Sequence, residues 1–483
     1  MIKGDKATIT MKIRSLFTLS LLILMGMTSF GQDYWSLEKC INHAFTNNIS
    51  IQNADLAVQQ ANVNLTQSKH ARYPNLNGSS GMNLNFGRTI DPTSNSFSTE
   101  SFLSNNISLN SNVTLFNGGA IRNGIKQSKL LKQASIEDKD QTMNDVALSI
   151  AQTYLNVLFA IENLEIAKQQ LKLTESQLDQ IEKLVKAGSR AANEVLDVEA
   201  QIALNEQSIV DAENNVEISY LNLKQLLRLE PDHPIKVIKP EDLNVTLDPE
   251  QITFRELYVR ALETQSFVRA GEMRVQSAAV NVDIARAQLL PSLGIGGFLG
   301  SNYNNKAQTI DGFTTERVEQ EVFIDNTSVI IGSDQTFPNL VDNPYIDQID
   351  ENLSYGFGLQ LNIPIYNRYN NKARIENAKL NTILEENNLT QLKENLKITI
   401  QQALADARAS KRRYVASEKS QRASKLSFEN AQKRYDLGGI NPIEYVTSKN
   451  ALENAEINLL IAKYEYIFRT KVLDFYLGNN LGI

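Results

Sequence analysis

Between Gly119 and Ala187 only Gly124, near the start, could interrupt a helix. Sixty-nine residues at about 1.5 Å rise each would run roughly 100 Å as one α-helix. Met143, Ile150, Val157, Leu164, Leu171, Leu178 and Val185 recur every seven residues. Thr153, Ala160, Ala167, Thr174 and Ile181 lie three residues after members of that series. Residues 369–437 repeat the period with Leu389, Leu396, Ala403, Ser410, Ser417, Ser424 and Ala431. Heptads sustained this far predict coiled-coil packing, and small seam residues let neighbouring backbones come close. Shorter helices in a globular bundle are the competing arrangement. Each long stretch ends at glycine, Gly188 in one and Gly438-Gly439 in the other, as a left-handed C-cap requires. In the second, Asn441 and Pro442 form an N-cap and first-turn pair that starts another helix. Each stretch therefore predicts a tight helical hairpin, 119–228 and 369–476.

These hairpins belong to a duplicated plan. At an offset of 217, Ala44 pairs with Ala261, Ala61 with Ala278, and Pro74 with Pro291. Farther on, "LFNGG" (115–119) faces "IYNRY" (365–369) at an offset of 250, as "VKAGSRAANEVL" (185–196) faces "YDLGGINPIEYV" (435–446). The second copy thus carries 33 extra residues (250 − 217) between Pro291 and Tyr366. The boundaries expected are 32–230 for the first repeat, 231–250 for a linker, 251–478 for the second repeat and 479–483 for a tail.

Within each copy the period changes from helix to strand. Residues 50–73 and 265–290 are rich in Ala, Gln and Val and read as helix up to "ARYPNL" and "AQLLPSL". Past the prolines the apolar residues alternate. In "LSYGFGLQLNIPIY", Leu353, Tyr355, Phe357, Leu359, Leu361, Ile363 and Ile365 share one parity, as Ile107, Leu109, Val113 and Leu115 do in "ISLNSNVTLF". Four strands follow per chain, at about 75–87, 102–116, 292–300 and 353–366. Tracts 88–101 and 301–352 are long, polar and poor in secondary-structure signal.

Residues 11–32, "MKIRSLFTLSLLILMGMTSFGQ", have Lys12 and Arg14 before an apolar run and small Ser29 and Gly31 before Gln32. That is a secretory signal, residues 1–31, with translation starting at Met1 or Met11. Cys40 in "SLEKC" lacks the residues of a lipidation site. After Gln32 no run of eighteen apolar residues occurs, so no transmembrane helix is expected. An exported chain whose strands have one oily and one wet face points to an outer-membrane barrel, since only closed sheets satisfy their backbone in lipid. Four strands cannot close one; three chains would supply twelve. A soluble β-subdomain beside a helical bundle would leave the heptads and the signal unconnected.

The chain resembles the TolC-like outer-membrane efflux channels over essentially its whole mature length. The resemblance rests on the paired junctions "ARYPNL" and "AQLLPSL", "LFNGG" and "PIYNRYN", and on the turns "AGSRAANEVLDVEAQIAL" and "YDLGGINPIEYVTSKNALENAE". It implies a mainly α protein with a membrane β-barrel: a homotrimer with a 12-stranded barrel in the outer membrane of a Gram-negative bacterium, continued by an α-helical periplasmic tunnel. It implies a conduit for small molecules, with a periplasmic adaptor protein at the hairpin tips and an inner-membrane pump behind it. The implied tip residues are Gly188, Ser189, Arg190, Glu194, Gly438, Gly439, Ile440 and Glu444; Asp197, Tyr435 and Asp436 are implied at the aperture. Tyr435 matches the tyrosine before the family's turn. Some members carry a gating arginine at the position of Ile440; this chain does not.

Other classes fit less well. Type I protein secretion uses the same conduit, and the sequence does not separate it from efflux. A trimeric coiled-coil adhesin predicts a single stalk, not two hairpins per chain. An enzyme is not expected. There is no Gly-x-Ser-x-Gly, no phosphate loop, one cysteine, and three scattered histidines, His43, His70 and His233. No cofactor, catalytic residue or metal ligand is assigned. A net charge of −7 without a basic block argues against nucleic acid.

Overall fold

A computed structural model describes residues 33–90, 96–99, 101–239, 247–324 and 327–479. The expected signal segment lies outside the described residues, as do most of the tail and the centre of the expected linker. One order of helices occurs twice along the chain. Helices α1 (Leu37–Asn47) and α2 (Ile49–His70) are followed in the first copy by α3 (Ala120–Lys186) and α4 (Asn193–Leu227). The second copy has α5 (Phe254–Thr264) and α6 (Ser266–Ala287), a short α7 (Tyr345–Glu351), then α8 (Asn370–Asp436) and α9 (Pro442–Tyr476). Matching helices are equal in length: 11 residues for α1 and α5, 22 for α2 and α6, 67 for α3 and α8, 35 for α4 and α9. The caps repeat too. Ser36 accepts from Lys39 N before α1, and Thr253 accepts from Glu256 N before α5.

The chain divides into two compact units. The first comprises residues 1–58, 135–270 and 389–483. Strand β1 (Asp33–Trp35) pairs in parallel with β6 (Ile235–Val237), which occupies part of the expected linker. Around this pair Cys40, Ile150, Tyr154, Val157, Leu223 and Leu227 form a buried core. A second core joins Leu257 and Val268 to Leu396, Ile400, Leu404 and Leu473. Val157 and Leu396 belong to the heptad series, which therefore marks buried seams. The Tyr154 hydroxyl donates to Ile238 O at 2.6 Å, with Trp35 O at 3.0 Å. Tyr154→Phe leaves these carbonyls without that donor and is expected to cost about 1–3 kcal/mol, read as a lower Tm. Burial pushes the Cys40 thiol up to about 12. A thiol reagent is therefore expected to label the protein only on unfolding, and rapid native labelling would contradict this burial.

The second unit comprises residues 59–134 and 271–388. Four antiparallel strands form its main sheet, in the order β10-β7-β5-β2: β2 (Asn77–Asn85), β5 (Phe102–Asn117), β7 (Ser292–Asn304) and β10 (Ser354–Asn362). The register sorts the side chains by face. One row places Leu359, Ile295 and Val113 side by side; the next of that parity sets Phe357 beside Gly297 and Ser111, and the one after it places Tyr355, Leu299 and Leu109 together. The opposite face carries Gly358, Gly296 and Asn112 in one row and Ser354, Gly300, Ser108 and Ser79 in another. Phe298, which lies against Gly356, and Phe102, at the start of β5, are exceptions on this wet face. The oily face is uncovered: Phe357 is 88% and Leu359 70% exposed. Among the described residues both outer strands, β2 and β10, present an unpaired edge.

Three features differ from expectation. β10 stops at Asn362, two residues before Pro364, because proline cannot donate to a ladder. The tracts expected to lack regular structure contain more strands. β3 (Arg88–Ile90) pairs with β4 (Phe97–Thr99), and β8 (Gln308–Ile324) with β9 (Thr327–Asp342). Helix α7 packs back on β7: Gln348 accepts from Asn304 N (2.9 Å) and donates to Asn304 O (3.0 Å) and Asn343 O (2.7 Å). The strand-to-helix junctions also differ between copies. Gly118 and Gly119 take φ of +65° and +87°, and a Cβ on Gly118 would sit 2.7 Å from Ala287 O. Their counterparts Arg368 and Tyr369 hold the same left-handed region, at φ +55° and +69°, without being glycine.

Candidate functional site: the hairpin tips

Both long hairpins turn by one device. Ser189 N donates to Leu184 O and Gly188 N to Val185 O, each at 2.9 Å. Gly439 N donates to Arg434 O at 2.7 Å and Gly438 N to Tyr435 O at 2.9 Å. This paired bonding closes a helix C-terminus when its first outside residue is left-handed. Gly188 and Gly438 supply that residue, with φ of +77° and +74°. Gly439 is the second outside residue and needs no such φ. The two restarts differ. Asn441 caps α9 by accepting from Glu444 N at 2.8 Å, and its Nδ2 donates to Glu444 Oε1 at 3.3 Å. Ala192, before α4, offers no side-chain cap.

The two turns of one chain meet through Arg190, Glu194 and Tyr435. Arg190 Nη2 donates to Tyr435 O at 2.6 Å, and Nη1 donates to Glu194 Oε2 at 3.3 Å. The Tyr435 hydroxyl donates to the same carboxylate oxygen at 3.0 Å. The guanidinium also lies over the Tyr435 ring, 4.3 Å from its centroid. The side chains of Arg190 and Glu194 are 14% and 15% exposed, so this ion pair is screened less than a surface pair. Burial, then the Glu194 hydrogen bond and charge, push the Tyr435 hydroxyl up to about 12, with Arg190 opposing. The hydroxyl therefore remains a donor throughout the neutral range. A second tie runs from Gln180 Nε2 to Asp436 Oδ1 at 3.1 Å.

Beneath these contacts lies a small core of Ile181, Phe428, Tyr435, Ile440, Tyr445 and Leu452. The Tyr435 and Tyr445 rings stack 4.7 Å apart. Ile440, expected at the tip surface, is a buried member of this core. Asp197, Asp436, Glu444, Gly188 and Ser189 are exposed. So are Leu196, Leu437 and Ile443, at 64%, 87% and 77%. These three apolar positions, Gln180 and Tyr445 escaped the sequence reading. Leu437 stands beside a glycine already singled out, which is the one signal that could have found it.

The comparisons agree on the family. A family model described as outer membrane efflux protein matches residues 40–227 and 257–479. The chain is 24% identical over 274 residues to "Probable outer membrane lipoprotein SilC" of Salmonella typhimurium, spanning 55% of each protein. It is 21% identical over 442 residues to "Cation efflux system protein CusC" of Escherichia coli O6:H1, covering 88% of this chain and 82% of that one. A solved structure of CusC superimposes with a TM-score of 0.72 at 18% identity, covering 92% of both chains. VceC from Vibrio cholerae gives 0.71 at 15% identity, over 92% of this chain and 96% of that one.

Proposed function

As the chain belongs to the outer membrane efflux protein family, we propose that three copies form a conduit that carries small molecules across the outer membrane and periplasm of a Gram-negative bacterium. The observation that carries this reading is the sheet with one oily and one wet face. Among the described residues no helix is long and apolar enough to cross a membrane. The sheet is the element suited to lipid, yet among the described residues its four strands leave β2 and β10 with open edges. Pairing β10 of one copy with β2 of the next satisfies both and gives a twelve-stranded wall. Its wet face, lined by Asn, Ser, Gln and Gly, suits a water-filled lumen. The hairpins extend the conduit into the periplasm, where their tips meet an adaptor linked to an inner-membrane pump.

Native mass spectrometry of the detergent-extracted protein tests the assembly. A trimer is the expected species; monomer alone would remove the basis for the barrel. The adaptor surface includes Gly188, Ser189, Gly439, Glu444 and the exposed Leu437 and Ile443. Leu437→Asp is expected to weaken adaptor capture while leaving the trimer intact.

The tip also sets ion preference. Glu194 is compensated by Arg190, which leaves Asp197, Asp436 and Glu444 as the exposed acidic groups, each present three times in a trimer. Reversal potentials in a salt gradient are expected to show cation preference, reduced in Asp436→Asn. Anion preference in the parent protein would refute this assignment.

A further inference from the structure

At the tip lies a partly open cavity of about 480 Å³, with Arg190, Glu194 and Tyr435 on its wall. Ile181, Leu184 and Val198 line it on an apolar side, while Gln177, Tyr445 and Lys449 supply polar groups. Lys449 is only 3% exposed. Its ammonium donates to Thr174 Oγ1, its one hydrogen bond among the described residues. Thr174 is already engaged, donating to Gln170 O at 2.8 Å and accepting from Asn205 Nδ2 at 2.7 Å. Two of the three ammonium protons therefore lack an acceptor. Burial holds Lys449 below the usual lysine range, and the charge of Glu453 only partly opposes that. Gln177 Nε2 and the hydroxyl of Tyr445, itself 5% exposed, are also buried without a partner.

All three groups have donor capacity left over, and one is a cation. Buried donors are normally satisfied, and a buried ammonium needs a counter-charge. The volume falls within the range of small-molecule sites, and the wall combines an apolar majority with a few convergent polar groups. We propose that this cavity binds an amphiphilic monocarboxylate, with its carboxylate on Lys449, Tyr445 and Gln177 and its hydrocarbon against Ile181, Leu184 and Val198. Arg190 on the same wall is paired with Glu194, and the carboxylates of Asp197 and Asp436 also line the cavity, so Lys449 is matched to a single added negative charge. The site does not depend on what the conduit carries.

The full-length protein in lipid nanodiscs, free of detergent, is titrated with carboxyl-labelled octanoate and followed by the carbon resonance of the carboxylate. Saturable binding is expected, with octanol, its neutral analogue, binding far more weakly. Lys449→Met should weaken octanoate binding by about 30-fold or more. Val198→Trp, which fills the apolar side, should abolish it in a trimer that still assembles. Tyr445→Phe provides a milder loss should Lys449→Met not fold. The assignment is overturned if octanol binds as tightly as octanoate, or if Lys449→Met or Val198→Trp binds like the parent. No saturation below about 1 mM overturns it as well, leaving water as the occupant.

Discussion

Leu359→Arg is expected to keep the chain out of the outer membrane, whereas Gln360→Arg, one residue away, is expected to be tolerated. The two positions differ in face and little else. Leu359 lies on the oily side of β10, in a row with Ile295 and Val113, and is 70% exposed in the single chain. Gln360 pairs with Gly294 on the wet side. An arginine facing lipid near the bilayer midplane costs about 2–4 kcal/mol. Three copies in one wall raise that to about 6–12 kcal/mol per assembly, comparable to the whole stability of a typical domain. On the wet side, which faces the lumen of the proposed barrel, the same arginine is expected to stay hydrated and to change selectivity. Membrane flotation and heat-resistant trimer on a gel would read both variants. If Leu359→Arg inserts as well as Gln360→Arg, the oily face does not meet lipid and the barrel assignment fails.

What could be read from the residues depended on whether a pattern had a buried or lipid-facing side to enforce it. Leu353 to Ile365 alternate strictly because one face must be apolar, so the β10 strand is legible in the sequence. The heptads were plain because Val157, Ile181 and Leu396 fill real seams. Ribbon β8–β9 was missed for the converse reason. On one face its rows pair Arg317 with Asp334 and Glu321 with Ile330, on the other Glu316 with Gln335 and Gln320 with Ile331, so both faces are mixed and no parity stands out. Thr174 was read as a small seam residue, which it is. Its role as acceptor for Lys449, 275 positions away, follows from packing between hairpins, which no local period encodes. The tip showed the same division. Its glycines were legible from the chemistry of turns, but the contact joining Arg190 to Tyr435 spans 245 positions and appears only once both hairpins are folded together.

That contact supplies what the sequence left open. Ile440 stands where a gating arginine is expected in some members of the family, while Arg190 places a guanidinium on the opposite turn, against the carbonyl and ring of Tyr435 and the carboxylate of Glu194. Arg190→Ala removes both charge-assisted hydrogen bonds and leaves Glu194 with the tyrosine hydroxyl alone. Hydrogen bonds to charged groups contribute about 1.5–3 kcal/mol each. If the three tips of a trimer open together, a loss of about 1.5 kcal/mol per tip already shifts the closed-to-open ratio by about three orders of magnitude. Tyr435→Phe keeps the ring under the guanidinium and loses only the hydroxyl, so its effect should be far smaller. Because both substitutions act on Glu194, the double variant should fall short of the sum. Single-channel recording in planar bilayers is expected to show a large, long-lived open level for Arg190→Ala, with trimer yield unchanged. Parent-like conductance in that variant would mean that the tip is held shut elsewhere, or not at all.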